Sequence, residues 1–141
     1  MTEKTANKKR RETYVIDPVA FFAALFGAPL VVAVVGFWIG GIPIAAVVFG
    51  GPLYLVVGTP VLLWHLARHA PNSWTIAGLA FLSFAVLIAA AGVYSVLLDE
   101  DGIIQFLMFF AGFGLVFAPI WGGVFGILYR QFRREIYAKP I

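Results

Sequence analysis

The feature that most constrains this chain is a stretch of 46 residues, Val19 to Trp64, without a single charged side chain. As one straight helix it would be about 69 Å long at 1.5 Å per residue. The hydrocarbon core of a bilayer is only ~30 Å thick, so such a run crosses a membrane and turns back. Composition agrees. Of the 141 residues, 62% are hydrophobic and 12% are charged, against roughly 25% charged in an ordinary soluble domain. The sequence therefore predicts an integral membrane protein of one domain.

The turn falls at Ile39-Gly40-Gly41-Ile42-Pro43. Two glycines followed closely by proline form the strongest breaker in the run. Gly40 or Gly41 can adopt positive φ and close one helix, and Pro43 suits the first turn of the next. Trp38 lies where an aromatic belt residue would meet the interface.

The remainder reads in the same way. Residues 1–16 form a flexible basic arm, and Asp17-Pro18 is a helix start. A membrane domain over 17–130 holds four spans, about 18–40, 43–66, 74–98 and 103–129. Asn72 and Ser73 cap the third, and the acidic turn Asp99–Gly102 precedes the fourth. Residues 131–141 form a basic amphipathic tail in the headgroup layer, with Tyr129, Phe132 and Ile136 on one face and Arg130, Arg133 and Arg134 elsewhere. The expected fold is all-α, a four-helix bundle with kinked helices.

All 10 lysines and arginines lie in the N-terminal arm, at Arg68 between spans two and three, or at the C-terminal end. The other two turns have none. The positive-inside rule then puts both termini in the cytoplasm, in a bacterial setting at the inner membrane. Lys8, Lys9, Arg10, Arg11, Arg130, Arg133 and Arg134 are the expected contacts with anionic lipid headgroups. The basic arm resembles the start of a signal peptide, but the apolar segment is too long and no cleavage pattern follows, so no cleavage is expected. One four-residue basic cluster gives no case for nucleic acid.

Candidate chemistry is sparse. The absence of cysteine excludes disulfides, thiolate metal sites and a cysteine nucleophile. No Asp, Glu, Lys, Arg or His falls in the central part of any span, and such groups mark proton-coupled transport and intramembrane catalysis. Gln105, Tyr54, Thr59, Ser83, Tyr94 and Ser95 are the polar side chains at depth, and isolated hydroxyls there usually bond their own helix. His65 and His69, four apart on a helix, are the metal candidates, but they amount to half a site. No cofactor is expected.

Glycine and proline say more. Phe26–Leu30 reads FGAPL and Phe49–Leu53 reads FGGPL, 23 residues apart, and FAPI at 117–120 is similar. Pro29, Pro52 and Pro119 are therefore expected helix breaks near the midplane, each freeing a carbonyl four residues back. In a membrane those carbonyls find partners or line a cavity. Small residues mark close helix approach. The expected seams are Ala33, Gly36 and Gly40 on span one; Gly78, Ala85, Ala89 and Gly92 on span three; and Gly112, Gly123 and Gly126 on span four. Phe21, Phe22, Phe81, Phe84, Phe106, Phe109 and Phe110 are then left to face lipid or another protein.

These features favour a non-enzymatic structural, accessory or assembly subunit that packs against a larger membrane partner or copies of itself. The alternative is a small oligomeric channel or transporter with a midplane site at the Gly-Pro breaks.

Overall fold

The computed structural model describes residues 15–98 and 101–134. The basic arm with Lys8, Lys9, Arg10 and Arg11, and the tail beyond Arg134, lie outside them. Five α-helices make up the four spans: α1 (Pro18–Val35), α2 (Ile42–Leu53), α3 (Thr59–Leu66), α4 (Ser73–Leu98) and α5 (Asp101–Phe132). A π-helical turn, Tyr54–Gly58, joins α2 to α3. The protein is all-α, with four helical segments each long and apolar enough to cross a membrane.

The first span is shorter than the sequence suggests. α1 stops at Val35, not near Gly40, and Gly36 caps it by donating its N–H to the Val32 carbonyl at 2.9 Å. Pro43 returns so close that a Cβ on Gly36 would lie 2.5 Å from its ring. Gly40 and Gly41 then turn the chain at φ +67° and +76°, a conformation that glycine adopts without a Cβ penalty. Gly41 is the N-cap residue of α2, and Pro43 sits in its first turn.

The second span carries a feature that its sequence did not announce. Pro52 and Pro60 bracket the π turn. A proline ring crowds the carbonyl four residues back; for Pro60 that is Val56, inside the turn, whereas for Pro52 it is Val48, within regular α2. α4 and α5 begin and end close to expectation. Asn72 caps α4 by accepting the Trp74 N–H at 3.1 Å.

α5 is the hub: it packs against α4, α1 and α2. Two stripes on it explain why. Phe109, Phe113, Phe117, Trp121, Phe125 and Tyr129 recur every four residues. Their rings meet the first two spans, with Trp121 edge-on to Tyr54 at 5.2 Å and Phe125 edge-on to Phe21 at 5.5 Å. One residue further along, Gly114, Ala118, Gly122 and Gly126 recur with the same step. That row receives α4. Phe84 occupies the space a Cβ of Gly114 would fill, and a Cβ on Gly122 would stand 3.1 Å from both Ala80 Cβ and the Ile76 carbonyl.

Phe21 and Phe84, expected at the lipid surface, are thus core residues, each 1% exposed. Phe22, Phe81 and Phe109 are exposed, and Phe110 is half-buried. Tyr129 also belongs to the core, not to an amphipathic surface strip.

Candidate functional site

Three places in the fold bring together the residues singled out in the sequence. The first is a lateral groove of about 370 Å³ between the first two spans. Phe26, Pro29 and Leu30 form one wall, and Val48, Gly51 and Pro52 the other. The two near-copies of the Phe-Gly-x-Pro-Leu element therefore face each other. Pro119 does not join them. It lines a separate groove between the last two spans, with Ile120 and Gly123. Pro29, Pro52 and Pro119, expected as helix breaks, each lie within a continuous helix, α1, α2 and α5, and the three do not converge on one path, because Pro119 lines a different groove.

The second place is the core beside the π turn. Tyr54 and Trp121 are 1% and 0% exposed, and the Tyr54 hydroxyl and the Trp121 indole nitrogen have no hydrogen-bond partner among the described residues. Ser83 follows the ordinary pattern, donating to the Leu79 carbonyl of its own helix at 2.8 Å.

The third place is the basic end of the bundle. His65 and His69 stack with ring centroids 5.0 Å apart. His65 is buried, its Nε2 has no hydrogen-bond partner among the described residues, and Arg68 lies 4.9 Å from the centre of the Trp64 ring. Among the described residues, no group of three or more His, Cys, Asp or Glu could hold a metal.

The same end holds a junction that sequence reasoning missed. Asp17 caps α1 through the N–H groups of Val19 and Ala20 at 3.1 and 3.3 Å. Its carboxylate also accepts from Arg134 Nε at 2.9 Å, and its backbone N–H donates to the Tyr129 hydroxyl at 3.3 Å. The start of the first span is thereby tied to the end of the fourth. Arg134, expected on lipid headgroups, is engaged by this carboxylate. Asp17 was legible as a cap, but a partner 117 residues away leaves no local signal.

The Arg134 guanidinium, aided by the backbone donors, holds the Asp17 carboxyl at about 2, against the opposing effect of burial. A group whose pKa is lower when folded stabilises the fold above its unfolded value and loses that contribution as pH falls. An Asp carboxyl in an unfolded chain titrates at about 3.8. Wild-type protein should therefore unfold at a higher temperature than Asp17→Asn at neutral pH. The gap should narrow between about pH 4 and pH 2. An offset that stays constant across that window would show that the charge is irrelevant.

The expected packing residues divide into several groups. Ala33 is buried. Gly36 and Gly126 are tight, the latter with its would-be Cβ 2.8 Å from Ser73 Cα. Gly92 and Gly123 allow ordinary contacts, at 3.7 Å to Met108 and 3.9 Å to Ala77. Ala85 is half-buried and Ala89 exposed. Nothing lies within 4 Å of a Cβ at Gly78, Gly112 or Gly40. Gly40 serves the turn, and the closest approach to α4 runs through Gly114 and Gly122, the row one residue beyond the aromatic stripe. Comparison of the chain with family models, curated proteins and solved structures finds no match in any of the three.

Proposed function

We propose that the protein is a non-enzymatic structural or assembly subunit of an inner-membrane complex, with both termini in the cytoplasm and a partner's transmembrane helix, or that of a second copy, received by the groove between the first two spans. The observation that carries this reading is the convergence of the two Phe-Gly-x-Pro-Leu elements on that groove. Its walls are almost wholly apolar, and Phe26, Leu30 and Val48 are more than half exposed. Helices associate in lipid through shape and close approach, and a groove shaped by Gly51 and two prolines offers both.

A channel or transporter is the second reading. It rests on the Tyr54 hydroxyl and Trp121 nitrogen beside the π turn, which have no partner among the described residues, since π turns recur at functional sites.

One experiment separates the two. A photo-crosslinking residue at Val48 should give a discrete protein adduct in native membranes, while one at Val86, exposed on α4, should give only lipid adducts. The purified protein and Pro52→Ala, reconstituted alone in liposomes, should pass no ions or small solutes. Lipid-only adducts at Val48, together with proline-sensitive flux, would replace the subunit reading by the transport one.

A further inference from the structure

The groove between the last two spans differs from the first in having a polar mouth. It encloses about 660 Å³. Its floor is apolar, made by Ala77, Pro119, Ile120 and Gly123. From Pro119 to Arg130 the floor runs 11 residues along α5, about 16 Å, the depth of one leaflet of a ~30 Å core. At the mouth stand Arg130, Asn72, Ser73 and Trp74.

Each mouth group has capacity left for an anion. Arg130 lies in the last turn of α5 and makes no ion pair among the described residues, where Asp17 is taken by Arg134. The Ser73 hydroxyl, shielded beside Gly126, has no hydrogen-bond partner among the described residues. Asn72 uses its side-chain oxygen on Trp74 N–H, which leaves its NH₂ to donate. The N-terminus of α4 points the same way, and its partial positive charge favours an anion. Trp74 is 88% exposed, as an aromatic anchor in the headgroup layer would be.

We infer that this groove binds one anionic phospholipid, with its phosphate at Arg130, Asn72 and the start of α4, and an acyl chain along Ala77, Pro119, Ile120 and Gly123. A free phosphate would leave the apolar floor unused. A purely apolar helix would leave Arg130 without a counter-charge. An amphiphile with one negative head and a chain about one leaflet deep satisfies both ends. The inference depends on the membrane setting and the charge at the mouth, not on the partner proposed for the other groove.

Native mass spectrometry of detergent-purified protein exchanged with equimolar phosphatidylglycerol and phosphatidylcholine tests it, with thermal unfolding as the check on folding. Wild type should keep one phosphatidylglycerol per chain, preferred by about fivefold to tenfold, the scale of one cation near an anionic headgroup. Arg130→Gln should abolish the preference. Gly123→Ile should reduce retention of both lipids, because a side chain there meets only Ala77 and grows into the groove. Arg68→Gln, at the same end but outside the groove, should behave as wild type.

Four results would overturn the inference. They are no preference in wild type, an unchanged preference in Arg130→Gln, an equal loss in Arg68→Gln, and displacement of the lipid by millimolar inorganic phosphate. A wild-type dimer that Gly123→Ile converts to monomer would assign the groove to a second copy instead.

Discussion

Gly114→Leu is expected to prevent the third and fourth spans from docking. The Phe84 ring occupies the volume that a Cβ at 114 needs, and Phe84 is 1% exposed, so the ring has nowhere to move. Overpacking commonly costs about 1–3 kcal/mol. A direct clash with a buried aromatic ring, on the helix that contacts the rest of the bundle, should lie at or beyond the upper end. The measurement is denaturant or thermal unfolding of detergent-solubilised protein, with Gly78→Leu as the comparison, since no atom lies within 4 Å of a Cβ there. Gly114→Leu should lose folded protein while Gly78→Leu stays near wild type. Combining Gly114→Ala with Phe84→Leu should recover part of the loss of Gly114→Ala alone, because the smaller side chain vacates that space. Equal stability of the two leucine variants would remove Gly114 from the packing seam.

Trp121→Ala should cost about 3–5 kcal/mol, the range for truncating a fully buried large aromatic. Trp121 is 0% exposed and touches the second span at two points. It lies edge-on to Tyr54, and its ring is 3.3 Å from a Cβ built on Gly50. Trp121→Phe should cost less than half as much, because the indole N–H makes no hydrogen bond among the described residues. Similar losses for the two variants in an unfolding titration would mean that the nitrogen has a partner. A loss under about 1 kcal/mol for Trp121→Ala would mean that the ring is not part of the core.

These two positions also show what the sequence could reveal. Local punctuation was readable. Asp17-Pro18, Gly40-Gly41-Ile42-Pro43 and Asn72-Ser73 each start or stop a helix through groups within a few residues of one another. Gly36 ended α1 early because Pro43 folds back on it, which is a tertiary contact. The π turn ends just before Pro60, and only Pro52 attracts notice as part of a repeat.

The faces of α5 were written in the sequence at a step of four, in Phe113-Phe117-Trp121 and in Gly114-Ala118-Gly122. Of the glycines expected on the fourth span, Gly126 lies on the Gly114 row, Gly123 is about 100° away from it, and Gly112, two residues from Gly114, is on nearly the opposite face. Sequence alone placed Phe21 and Phe84 on the outside because size does not say which aromatic finds a glycine opposite. The two grooves were less legible still. Pro29 and Pro52 meet and Pro119 stands apart because of how the helices are arranged around α5, and no spacing within one span encodes that.

The arrangement around α5 has a consequence for biosynthesis. The first two spans share a modest contact with each other, and most of what holds them is the aromatic stripe of a helix that follows later in the chain. At about 5–20 residues per second, the 63 residues from Leu66 to Tyr129 take roughly 3–13 s to synthesise. During that interval the earlier spans sit in the bilayer without the helix they pack on. Only when Tyr129 and Arg134 emerge can the Asp17 junction close. The bundle thus locks from its far end backward, and a chain cut short before α5 would expose Phe21 and Tyr54 to membrane quality control as a mark of incompleteness.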